Sequence, residues 1–158
     1  MYELIQGQHP HWAVLTCSDS RIAPELVFDQ GLGDVFDVRV AGNIVDEAVL
    51  GSLEYAVEHL HVPVIVVMGH DHCGAIHAAM QHEHPHNHIN AIIRSLSPAV
   101  ALAKGNETQA SVQNVRLILE KLKQSPVIRH QLAQGQLMLK GALYHLETET
   151  VEFLPDTL

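Results

Sequence analysis

The sequence predicts an α/β fold, with a mostly parallel central β-sheet flanked by helices, on three observations. Short apolar runs rich in β-branched residues alternate with stretches of helical periodicity. The run over residues 62–69 is almost wholly apolar, as a strand covered on both faces must be. Two of the runs end directly in clusters of chemically active side chains, and in an open parallel sheet ligand sites form just outside the strand tips. There is no internal repeat and no low-complexity linker, so residues 1–158 are expected to form a single domain.

In chain order, residues 1–10 are short and polar, too brief for a domain. Residues 12–16 are the first strand, ending at Cys17. Residues 22–28 suit a short helical turn, in which Pro24 is acceptable because a first turn needs no donor from its nitrogen. Gly31 and Gly33 punctuate a loop before a second strand over residues 35–40, and Ala41-Gly42-Asn43 marks a turn. Residues 46–61 are the first long helix, where Ala48, Val49, Leu53, Ala56, Val57 and Leu60 recur as an apolar stripe. The third strand covers residues 62–69, and a helix opens at Gly74 and runs to Gln81. Residues 82–88 form a polar, histidine-rich loop. Helices are predicted over residues 89–103 and 107–123. Ser125 and Pro126 read as N-cap and first helical residue of a further helix to Ala133. Residues 136–146 and 150–154 complete the chain as a strand pair around Glu147-Thr148-Glu149.

The two clusters carry the chemistry. Cys17-Ser18-Asp19-Ser20-Arg21 follows the first strand, and His70-Asp71-His72-Cys73-Gly74 follows the third. Strand tips meet on one edge, so Cys17 can approach His70, 53 positions along the sequence, and Cys73 beyond it. Two thiolates and an imidazole are three zinc ligands, with a fourth position left for water or substrate. Zinc held by two thiolates is a weaker Lewis acid than zinc held by neutral histidines, and it needs help to ionise water. Asp19, two residues beyond Cys17, can accept a hydrogen bond from that water or swing in as the fourth ligand. Arg21 can hold the Asp19 carboxylate as a charge-assisted pair and keep it ionised.

Composition narrows the class. A formal net charge of −9 with only nine scattered basic residues argues against nucleic acid as a partner. No apolar stretch is long enough to cross a bilayer, so no membrane association is expected. Residues 1–11 lack the basic and apolar regions of a signal peptide, which makes the cytoplasm the expected compartment. A reducing compartment disfavours a disulfide between the two cysteines. No Cys-x-x-Cys motif is present, which weakens a thiol-redox reading.

The residues also carry a resemblance. Cys-x-Asp-x-Arg followed by His-x-x-Cys-Gly is similar to the β-class carbonic anhydrases, in a short form. Between the clusters, Pro24-Glu25, Phe28-Asp29, Gly33-Asp34, Arg39-Val40-Ala41-Gly42-Asn43 and Leu53-Glu54-Tyr55-Ala56-Val57 resemble that family in order and spacing. The likeness is strong over residues 8–79 and weak in the C-terminal half. It implies zinc on Cys17, His70 and Cys73, Asp19 and Arg21 as catalytic dyad, and reversible hydration of CO2 to bicarbonate and a proton. It also implies a homo-oligomer, dimer or tetramer, with the sheet extended across a dimer and a small pocket completed at the interface. Gln8, Phe36, Tyr55 and Gly74 fall at the family's pocket positions, and Ala41 stands where plant-type members have valine. Phe36 and Tyr55 equally suit plain core positions. A bicarbonate-regulated subgroup combines a tryptophan, an arginine and a tyrosine near the site. Here Arg39 and Tyr144 match, but Val14 stands in place of the tryptophan.

Other readings stay open on the residues alone. Carbonyl sulfide and carbon disulfide are linear like CO2, and a hydrolase for either could use the same scaffold. A non-catalytic zinc-binding homologue would need the three ligands without the Asp19–Arg21 couple. His72 and His77 are candidates for proton relay because imidazole titrates near neutral pH, or else plain surface residues. His82, His84, His86 and His88 invite a second metal, yet Pro85 and the polar setting favour a solvated loop.

Overall fold

The computed structural model describes residues 2–82 and 85–156. It contains a five-stranded sheet in the order β2-β1-β3-β4-β5, built from β1 (Trp12–Thr16), β2 (Val35–Arg39), β3 (Val64–His70), β4 (Met138–His145) and β5 (Thr150–Phe153). The first four are mutually parallel, and β5 runs antiparallel to β4. From β1 the chain steps to one side to make β2, then returns to the other side to make β3. The β1–β3 boundary is therefore the topological switch of the sheet, the place where open α/β sheets form ligand sites, at the carboxyl ends of the strands.

Helices cover both faces. One core cluster joins Ala13, Leu15, Ile65, Val67 and Leu143 to residues of α3 (Glu47–Glu58), α6 (Glu107–Leu122) and α7 (Pro126–Ala133), among them Leu53, Val115, Leu122 and Ile128. A second joins Val14, Val66, Met68, Ala142 and Tyr144 to Ile76 of α4 (Gly74–Met80) and to Ile93 and Leu96 of α5 (Ile89–Leu102). Alternate residues of β1, β3 and β4 serve opposite clusters, as the period of two requires. Each fully buried Leu or Ile contributes ~1.5–3 kcal/mol by leaving water.

The N-cap read from sequence at Ser125 is in place, and two further caps join it. Asp46, Asn106 and Ser125 each accept a backbone N–H three residues on, at 2.8, 2.9 and 3.3 Å, capping α3, α6 and α7. The expected short helical turn is α2 (Pro24–Val27), and the expected turn Ala41–Asn43 is 3-10 helical, with Gly42 at φ +69°. Two features differ from expectation. A short helix, α1 (Tyr2–Ile5), lies within the expected polar lead. Strands β3 and β4 each begin two residues late. The Val62 N–H is taken by Ala56 O at the end of α3. Gln136 closes α7 instead of pairing, its N–H reaching Gln131 O at 3.0 Å while that of Gly135, at φ +68°, reaches Leu132 O at 3.1 Å. Among the described residues, no helix is long and apolar enough to cross a membrane.

Candidate metal centre

The site begins with two strands held in register at their tips. Thr16 Oγ1 donates to Met68 O at 3.0 Å in a buried bond, one residue before Cys17 and two before His70. Beyond it the chain leaves β1 at Cys17 and β3 at His70, and turns through His72 at φ +50° to Cys73, the residue that precedes α4. Cys17, His70 and Cys73 are all buried. Their ligand atoms lie within 4.8 Å of one another, the one such group among the described residues.

His70 is set for metal binding by its own neighbour. Its Nδ1 lies 2.7 Å from the carbonyl oxygen of Asp71, so Nδ1 carries the proton and donates it. Nε2 is left with a bare lone pair and no hydrogen-bond partner, although the ring is 1% exposed. A buried polar atom without a partner costs ~1–3 kcal/mol, and a cation placed between Nε2 and the two sulfurs removes that cost. Two sulfurs and one nitrogen are a donor set that zinc accepts in tetrahedral geometry. The residues present fit the ion.

The two thiols divide their charge unequally. The Cys73 thiol donates toward Cys17 and draws its pKa down to about 4, against the opposing effect of burial. The backbone N–H groups of Gly42 and Asp19 add to the pull, Gly42 at 3.2 Å from Sγ. The Cys17 partner and burial push Cys73 upward, so Cys17 ionises first. A divalent cation supplies the charge that lets both sulfurs serve as thiolates.

Beside the ligands stands the Asp19–Arg21 couple. Arg21 Nε and Nη2 donate to Asp19 Oδ1 and Oδ2 at 2.9 and 2.8 Å, and the Arg21 backbone N–H adds a bond of 3.0 Å to Oδ1. These hydrogen bonds, the guanidinium's foremost, hold the carboxyl well below the usual carboxylate range. Asp19 Oδ2 lies 3.9 Å from His70 Nε2, at the edge of the ligand triangle. Arg39 at the end of β2 braces the same loop, donating to the carbonyls of Cys17 at 3.1 Å and Asp19 at 2.7 Å.

Other candidates lie elsewhere. Phe36 and Tyr55 stand together, ring centroids 6.2 Å apart, and Phe36 packs on the α3 side of the sheet. Cys17 and Cys73 belong to the cluster on the other side. Gln8 is exposed, Ala41 is half-buried, and Gly74 is exposed at the start of α4. Tyr144 is buried in the α4–α5 cluster and pairs with His70 across the β3–β4 ladder. His72 is exposed and gives its carbonyl to Arg21, and His77 pairs with Glu107 at 3.2 Å. His82, His86 and His88 are exposed, while Glu83 and His84 lie outside the described residues.

Sequence reasoning missed three contributors. The Asp71 carbonyl sets the His70 tautomer, the Gly42 N–H contacts Cys17 Sγ, and Asn114 Nδ2 donates to Gly42 O at 3.0 Å. Two of them act through backbone atoms, which leave no side-chain signature. For Asn114 the one available signal was a polar residue on the apolar face of α6.

Comparison with known proteins agrees with this geometry. The family described as carbonic anhydrase matches residues 12–151. A carbonic anhydrase of Mycolicibacterium smegmatis is 41% identical over 158 residues, 94% of this chain and 77% of that one. The β-carbonic anhydrase CafA of Aspergillus fumigatus superposes with a TM-score of 0.90 at 26% identity, over 99% of this chain and 81% of that one. One of two tetrameric β-carbonic anhydrases of Sordaria macrospora gives 0.88 at 26% identity, over 97% of this chain and 84% of that one. With a family match over most of its length, and its two cysteines and His70 drawn together at the switch of the sheet, the chain belongs to the β-carbonic anhydrases.

Proposed function

We propose that this chain catalyses the reversible hydration of CO2 to bicarbonate and a proton, with zinc held by Cys17, His70 and Cys73. The observation that carries the reading is the bare, buried Nε2 of His70, within reach of both sulfurs and 3.9 Å from an ionised carboxylate. Zinc bound there supplies Lewis acidity that makes water nucleophilic near neutral pH. Asp19 accepts a hydrogen bond from the water in the cleft and turns its lone pair toward CO2. Arg21 keeps Asp19 ionised and occupies both of its oxygens, an arrangement that suits a carboxylate standing beside the fourth position. Released from Arg21, Asp19 would instead be placed to serve as a fourth ligand.

The pocket is assigned to Gln8, Phe36, Ala41, Tyr55 and Gly74, completed across a homodimer or within a tetramer. Two features support this: Phe36 packs across the sheet from the thiols, and the Sordaria relatives are described as tetrameric. The sheet then continues across the dimer. The cytoplasm suits two thiols that must stay reduced to bind metal.

The test is zinc content and CO2 hydration rate on freshly reduced protein, with carbonyl sulfide and carbon disulfide assayed alongside. Stoichiometric zinc and fast CO2 turnover are expected. Faster turnover of either sulfur substrate reassigns the chain to that hydrolase, and zinc without turnover of any makes it a binding homologue.

A further inference from the structure

We infer that Asn114 is a positioning residue for the metal centre, fixing the carbonyl of Gly42 and with it the glycine whose N–H points at Cys17 Sγ. The inference rests on Cys17 being a zinc ligand, as proposed above.

Gly42 is the weak point of the contact it makes. It sits at φ +69° and ψ 14°, in the left-handed region, where glycine alone is unstrained. A Cβ there would lie 2.9 Å from Leu96 Cδ1 and 3.2 Å from Ala75 Cβ, so no other residue fits. That same freedom lets the peptide entering Gly42 rotate. Rotation would replace a donor facing the sulfur with the Ala41 carbonyl, which a thiolate repels.

Asn114 holds the next peptide, the one leaving Gly42, from a rigid support, and so fixes the Cα on which the entering peptide turns. It is buried on α6, and its Nδ2 donates to Gly42 O at 3.0 Å across 72 residues of sequence. Val112, Val115 and Ile118 fix α6 on the sheet. The amide therefore anchors the glycine's carbonyl to the core, while its N–H is directed to Sγ at 3.2 Å. A hydrogen bond to a ligating thiolate withdraws electron density from the sulfur, and the metal stays more acidic. With two thiolates on one ion, that withdrawal matters more than at a histidine site.

The experiment compares Asn114→Leu and Asn114→Ser with Ser111→Ala, one turn earlier on α6. Leu keeps the volume and loses the donor. Ser is small enough to fold should Leu not be accommodated, yet too short to reach Gly42. Zinc affinity is read by competition with a chromophoric chelator, and the sulfur-to-metal charge-transfer band by cobalt substitution. Both Asn114 variants should lose zinc affinity by ~10- to 100-fold, the range for residues that orient ligands. Their cobalt band should move to lower energy, because a sulfur freed of its hydrogen bond is easier to oxidise. Ser111→Ala should match the parent in both. A folded Asn114 variant with parental affinity and band overturns the inference, and so does an equal loss in Ser111→Ala. A parent that takes up neither metal overturns the zinc reading itself.

Discussion

Arg21 ties the loop after β1 to the loop after β3, its Nη2 donating to the carbonyl of His72 at 3.1 Å while also holding Asp19 Oδ2 at 2.8 Å. One guanidinium thus fixes a carboxylate and links the two segments that carry the proposed ligands. A lysine has no planar fork and cannot make these bonds together.

Arg21→Lys and Arg21→Ala are therefore both expected to retain stoichiometric zinc and to lose CO2 hydration by ~100-fold, the lower end of what a positioned acid–base group supplies. Stopped-flow hydration assays on protein of measured zinc content check this. Parental rates in the lysine variant would falsify the bidentate role.

Stability should report the same pair. The folded pKa of Asp19 is depressed below its unfolded value, chiefly by the Arg21 hydrogen bonds. Its stabilisation is therefore complete above the ordinary carboxylate pKa of ~3.9 and is lost as pH falls toward the folded value. The melting temperature of Arg21→Ala should lie below the parent's at pH 6, and the gap should narrow below pH ~4. A gap that stays constant across that range contradicts the assignment.

His145 works in the opposite sense. Glu152 at 2.8 Å, then Asp71 at 3.4 Å, raise its pKa against a smaller effect of burial. Its stabilisation is complete below the unfolded value of ~6.5 and is lost as pH rises through the raised folded pKa. Glu152 is mostly exposed, so His145→Gln should cost no more than about 1 kcal/mol at pH 6 and close to nothing at pH 9. Urea unfolding at both pH values, with and without added salt, measures it.

Metal removal should be visible in stability as well as activity. An ion that binds only the folded chain adds ~4 kcal/mol at a thousand times its dissociation constant. Chelation should lower the melting temperature of the parent and leave Cys73→Ser, which lacks a ligand, unchanged. An equal drop in both would place the stabilising ion elsewhere.

Gly42→Ala should be damaging out of proportion to its size, because the left-handed φ and the approach to Leu96 add together. A loss of ~1–3 kcal/mol in folding stability is expected, with weakened zinc binding. Parental stability in calorimetry rules out the strain.

Much of this was legible because local rules and the fold agree. The valine run of β3 is unbroken, the apolar stripe of α3 is periodic, and the Ser125 cap stands at the start of α7. The approach of Cys17 to His70 followed from strand order, since both lie at parallel tips. What stayed hidden was set by backbone geometry or by distance along the chain. Gln136 is apolar-run context in sequence, but the left-handed Gly135 draws it into the cap of α7. The short α1 helix has no periodicity long enough to read. The Asn114–Gly42 bond joins residues that only the packed sheet and α6 bring together.

The register bond from Thr16 to Met68 has a bearing on how the protein matures. Cys17 and His70 come within reach of one ion only after β1 and β3 have paired, a closure that spans about a third of the chain. All three donor atoms are within reach of one ion only in a chain whose β1 and β3 are paired, so full coordination would follow that pairing and would lock it in place.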